Sequence, residues 1–152
     1  MNIRYSLAFY FFFTFNLPAQ QNYFNVENWT NDTLVFSNLN VVISHPINFN
    51  LVRVNVQTKE HLLYALSDED CKSFPILITI GPNIDYDVII DKNETVVDGK
   101  FKSVRYGMNQ SEQMIRVDKY KYGVIVYYSS VPESYKFVYD DILDSVKVFI
   151  NF

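Results

Sequence analysis

Hydrophobic and polar positions along this chain fall into many short runs of period two, followed by one longer run of period near 3.6. Thr33 to Ser37 and Leu39 to Ser44 are short apolar runs, and the second ends at His45-Pro46. Proline brings no N–H to a ladder and biases the residue before it toward extended backbone, so a strand stops or bends there. Asn48 to Val56 alternates, with Phe49, Leu51 and Val54 set among Asn50, Arg53 and Asn55. In His61 to Leu66 both periods fit, since Leu62, Leu63 and Leu66 share a helical face and Leu62, Tyr64 and Leu66 a strand face. The acidic turn Ser67 to Asp70, leading straight into Phe74 to Ile80, favours a strand. That next run is apolar on both phases and bounded by Gly81-Pro82, the pattern of a central strand covered on both faces.

Asp98-Gly99 is the sharpest turn signal, with Thr95 to Val97 before it and Phe101 to Tyr106 after it. Met114 to Val117 and Val124 to Tyr128 predict a second hairpin around Asp118 to Gly123. The chain is then expected to close with a helix, Ser130 and Glu133 forming a capping box and Pro132 lying in its first turn. Tyr135, Val138, Tyr139, Ile142, Leu143 and Val146 make its apolar face, and Lys136, Asp140, Asp141 and Asp144 its solvent side. The fold class predicted is α+β: an antiparallel sheet with a C-terminal amphipathic helix packed on it, α/β/α-sandwich-like.

The order of elements from Leu39 to Phe149 resembles the PsbP-like and Mog1-like α/β sandwich superfamily. The residues that carry the resemblance are His45-Pro46 followed by Phe49, the Val97-Asp98-Gly99-Lys100-Phe101 hairpin, and Ile142-Leu143-Asp144-Ser145-Val146-Lys147-Val148. Asn48 and Phe49 stand where a tryptophan is usual. The resemblance implies a non-enzymatic domain that docks on another protein.

The start of the chain reads as an export signal. Arg4 gives a short positive region, Ser6 to Phe15 an apolar run too short for an ordinary membrane span, and Ala19 a small residue at the cut. The organisation expected is a signal peptide over 1–19, a leader over 20–32 and one domain over 33–152. Mature protein is then exported, periplasmic or extracellular, with no membrane span after cleavage. Cys71 is the only cysteine, so no internal disulfide can form, and its acidic neighbours mark it as a structural thiol.

Net charge is −4, and no basic patch is visible along the sequence, so no nucleic-acid partner is predicted. Asp68, Glu69, Asp70, Asp85, Asp87 and Asp91 lack the spacing of a calcium loop, and His45 and His61 stand apart with no cysteine near, so neither metal nor cofactor is expected. No serine sits in a Gly-x-Ser-x-Gly elbow, and no catalytic residue is assigned. Six tyrosines lie between Tyr120 and Tyr139. Tyrosine offers broad amphipathic area at low entropy cost, so Tyr120, Tyr122 and Tyr127 are the candidate binding residues. Tyr127 and Tyr128, adjacent on a strand, must face opposite sides. The reading is an exported, non-catalytic protein-binding module, an envelope accessory protein or an immunity-type inhibitor. The alternative is a small exported hydrolase or ligand carrier with a pocket.

Overall fold

The computed structural model describes residues 28–54, 61–68, 75–82 and 88–151. The expected signal peptide, Cys71, and the acids Glu69, Asp70, Asp85 and Asp87 lie outside the described residues. Strand β1 (Trp29–Phe36) turns at Ser37 and Asn38 into β2 (Leu39–Pro46), with Trp29 opposite Pro46 and Phe36 opposite Leu39. Residues 29–32, expected in the leader, therefore belong to a paired strand. Strand β2 ends at the proline, as the missing N–H requires.

Seven strands build the larger sheet: β3 (Phe49–Val54), β4 (Leu62–Asp68), β5 (Ile76–Ile80), β6 (Lys92–Asp98), β7 (Lys102–Met108), β8 (Met114–Tyr120) and β9 (Val124–Val131). Their spatial order is β3-β4-β5-β9-β8-β7-β6, and every pairing is antiparallel. The ambiguous run at Leu62 is a strand, and β5 is an inner one with Ile76, Ile78 and Ile80 fully buried. A 3-10 turn (Glu133–Tyr135) leads into helix α1 (Lys136–Ser145). The chain does not close on this helix, because β10 (Lys147–Ile150) follows and pairs with β2, giving a three-stranded sheet of order β1-β2-β10.

One hydrophobic cluster joins these parts. Val41 and Ile43 of β2, Phe49, Leu66, Ile78, Val126 and Tyr128 of the large sheet, and Val138, Tyr139, Ile142 and Leu143 of α1 are all buried in it. Tyr139 stands edge-on to Phe49 and to Tyr128, with ring centroids 6.0 and 5.6 Å apart. A smaller cluster of Ile115, Val117, Ile125 and Tyr127 covers the opposite face of the sheet, against Leu77, Val88 and Ile90. The fold is a sheet-rich α+β domain with one short helix near its C-terminal end. Among the described residues no helix is long and apolar enough to cross a membrane.

The capping box does not form. Ser130 belongs to β9, where the register against β8 shifts between Met114 and Arg116 and Ser130 takes a positive φ of 61°. This bulge changes the phase of the strand, so that both Tyr128 and Val131 point into the main core. Neither start of the helical segment receives a side-chain cap.

Gly123 closes the β8–β9 turn at φ +73°, and its carbonyl accepts the Gly81 N–H at 2.9 Å. A Cβ on residue 123 would stand 2.1 Å from the Gly81 carbonyl oxygen, a backbone atom with no room to yield. Gly123→Ala is expected to lower stability by roughly 1–3 kcal/mol. Denaturant melts check this, and a change under about 0.5 kcal/mol, the range of ordinary surface substitutions, would reject it.

Candidate functional site

Alternation along β8 places Arg116 and Asp118 on the same face, both turned toward the helix, and both are buried. Cross-strand register then builds two rows. Tyr106, Arg116 and Tyr128 lie opposite one another across β7, β8 and β9, and Val97, Val104, Asp118 and Val126 form the next row. On α1, Lys136, Asp140 and Asp144 recur every four residues and so share one stripe, which faces this part of the sheet.

The guanidinium of Arg116 is the hub. Its Nε and Nη2 donate to the two oxygens of Asp118 at 2.8 and 2.9 Å, the fork-to-fork geometry that suits arginine. Nη2 also reaches Asp144 Oδ1 at 2.5 Å, and Nη1 reaches Asp140 Oδ1 at 3.2 Å. Lys102 Nζ donates to Asp118 Oδ2 at 2.7 Å, the Tyr128 hydroxyl to Asp140 Oδ1 at 2.8 Å, and Lys136 to Asp140 Oδ2. Three cations thus meet three carboxylates.

Every resolved titration shift in this group moves away from neutrality. Burial alone would disfavour the charged Arg116, but its hydrogen bonds to Asp118 and Asp144 overcome it and hold the guanidinium protonated. Burial, then the charge and hydrogen bond of Asp140, push the Tyr128 phenol up. Burial next to Asp118 does the same to Tyr120. For Asp140, burial favours the neutral acid, yet the bonds from Lys136, Tyr128 and Arg116 win and lower its pKa.

Beside this network the surface opens into a cleft of about 340 Å³, lined by Val97, Val104, Tyr106, Arg116, Tyr128, Lys136 and Asp140. Its two walls differ in kind. The helix side is polar and internally paired, whereas the β6–β7 side presents Val97 at 53% exposure and the exposed ring of Tyr106. Strand β6 is the sheet edge, and all seven of its residues are exposed, so this wall has no layer over it.

Of the sequence candidates, only Tyr122 is exposed, at 46%. Tyr120 and Tyr127 are buried, which removes these two from the three candidate binding residues. Both faces of the large sheet are covered here, so Tyr127 and Tyr128 are both buried although they point opposite ways. Asp140, expected on the solvent side of the helix, is instead bonded to three partners. Asp118, expected in a turn, is a fully buried strand residue. The signal for Asp118 was present in Arg116-Val117-Asp118, a charged pair in phase with the apolar Met114 and Tyr120.

His45 and His61 stay apart from the cleft. His45 is buried, with Nδ1 2.9 Å from the Pro46 carbonyl oxygen and Nε2 2.9 Å from Asp32 Oδ2, and so links β1 to β2. His61 Nε2 lies 2.9 Å from the Pro82 carbonyl oxygen, bracing the end of the β4–β5 pair. Among the described residues no group of three His, Cys, Asp or Glu could hold a metal ion. No protein-family model, curated protein or solved structure matches the chain. The class that fold and site define is a sheet-rich α+β domain with an open, charge-balanced cleft.

Proposed function

We propose that the chain is an exported, non-catalytic protein-binding module, an envelope accessory protein or immunity-type inhibitor that acts in the periplasm or outside the cell. The observation that carries this reading is the pairing of an uncovered apolar wall, Val97 and Tyr106, with ionisable groups that are already engaged with one another. A general acid or base works best with a pKa near the operating pH, and Arg116, Tyr128 and Asp140 are all displaced the other way. An apolar partner side chain seated on Val97 and Tyr106 would be rimmed by Lys136 and Asp140, the arrangement of an apolar centre within a polar border. Tyr122 is the sequence candidate that remains available to such a partner.

The finer arrangement, a layered sandwich of the PsbP-like and Mog1-like kind, belongs to this proposal. It is supported by the helix and small sheet sharing one core with one face of the large sheet, and by a second cluster on the other face. A ligand carrier is the second reading, favoured by a cleft whose size falls within the usual range for small molecules, about 300–1,000 Å³.

Val97→Asp separates the two readings. This surface change should leave stability within about 0.5 kcal/mol of wild type. Capture of a protein partner from the native host should be lost, with a hot-spot cost of about 2 kcal/mol or more. Retained capture by the variant would reject the cleft as the docking site. Native mass spectrometry that finds a small molecule on the purified protein, lost in the same variant, would favour the carrier.

A further inference from the structure

The turns that end the two hairpins meet at one end of the large sheet. The Lys121 N–H donates to the Phe101 carbonyl at 3.1 Å, which ties the β8–β9 turn to the β6–β7 turn. This contact brings Lys100 and Lys121 together on an aromatic residue at a hairpin tip. Phe101 is 61% exposed, yet the ammonium groups of Lys100 and Lys121 stand 5.2 and 5.9 Å from its ring. Lys102 lies 5.5 Å from the ring of Tyr120, and exposed Tyr122 adjoins Lys121 in the same turn. Among the described residues, the exposed acid at this tip is Asp98, and Lys102 is held by Asp118 and Asp144. In a chain of net charge −4, Lys100 and Lys121 outweigh Asp98 among the described residues of this tip.

We propose that this end of the sheet docks on a bilayer surface rich in anionic phospholipid, with Phe101 entering the headgroup zone and Lys100 and Lys121 resting on lipid phosphates. The inference goes beyond the cleft and does not rest on it. Its shape argues for a lipid surface, since the exposed aromatic residue caps a hairpin tip. Its composition argues the same way. Both cations at the Phe101 ring are lysines, point charges without the planar fork that recognises one carboxylate, and lysine is depleted in protein interfaces where arginine is enriched. Aromatic rings and lysines together at a membrane boundary combine apolar insertion with attraction to anionic headgroups.

Co-sedimentation of the full chain with vesicles tests this, using phosphatidylcholine alone and phosphatidylcholine mixed with phosphatidylglycerol. The apolar Ser6 to Phe15 run would hold the chain on both kinds equally, so the reading is the excess on anionic vesicles. That excess should fall as salt is raised. Lys100→Gln with Lys121→Gln should reduce it roughly twenty-five-fold, about fivefold for each lysine near the surface. Phe101→Ala should reduce it roughly tenfold. Lys92→Gln, at the other end of the hairpin, should leave it unchanged.

Equal binding to both vesicles, an excess indifferent to salt, or the same loss from Lys92→Gln would overturn the proposal. So would binding to polyglutamate with no preference between vesicles, which would move the site to an acidic protein partner. Far-ultraviolet circular dichroism should show every variant folded, and the salt dependence of the wild-type chain decides the matter without any variant.

Discussion

Arg116→Ala is expected to lower folding stability by about 3–5 kcal/mol, the cost of leaving a buried charge without its partner. Asp118 has no exposed surface and receives two of its hydrogen bonds from this guanidinium. Lys102 remains to Asp118 after the change, and Tyr128 and Lys136 remain to Asp140, so the burden falls mainly on Asp118. The double variant Arg116→Leu with Asp118→Leu should lose less than the two single leucine changes summed, because it removes both charges together. Urea melts of wild type, both singles and the double decide it. Additive effects, or an alanine cost under about 1 kcal/mol, would show that the network is solvated.

The same network gives stability a pH dependence of defined sign. The folded-state pKa of Asp140 is depressed, so the unfolded chain takes up protons first as pH falls. Its contribution is complete above the ordinary aspartate pKa of about 3.9 and is lost as pH drops through its lower folded value. Asp140→Asn should therefore flatten the fall in melting temperature in acid. An unchanged slope would contradict the assignment.

Leu143→Ala carries the second large effect, an expected loss of about 2–5 kcal/mol. The side chain is fully buried next to Ile142, in the cluster that joins the helix to both sheets. A cavity at that position cannot collapse easily, because strands pack on more than one side of it. Asp141 is exposed two residues earlier, on the opposite face of α1, and Asp141→Ala should stay within about 0.5 kcal/mol. Comparable losses from the two would put the wrong face of α1 in the core.

The strands and the helix were legible because each keeps its period over several residues. Ile142 and Leu143 follow from a 3.6-residue repeat, and β5 from an apolar run between a turn and Gly81-Pro82. Three features were hidden for physical reasons. The bulge at Ser130 shifts the phase of β9 by one residue, and a local reading of Ser130 and Glu133 mistakes it for a helix cap. Strand β10 is four residues long and is defined by a partner about a hundred positions earlier. The lysines at the sheet end come from two turns about twenty residues apart in sequence, so no window along the chain shows them as one patch. The candidate site was the least legible part. Arg116 and Asp118 show in sequence only as a charged pair in phase with Met114 and Tyr120, Asp140 shows no signal, and only helix packing brings the three together.

Strand β2 sits between a neighbour that directly precedes it in the chain, β1, and one that arrives only after the whole large sheet has been made, β10. The Ser44 N–H donates to Ser145 Oγ at 2.9 Å across a separation of 101 residues, which fastens the helix end to β2 just before β10 pairs with it. Until that point in synthesis, one side of β2 has unpaired N–H and C=O groups, an edge able to recruit a strand from another chain. Contacts this distant in sequence also make folding slow, because the loop must close before it is rewarded. Assembly of the small sheet is therefore a late event, and the interval before β10 docks is when a nascent chain most needs shielding from its neighbours.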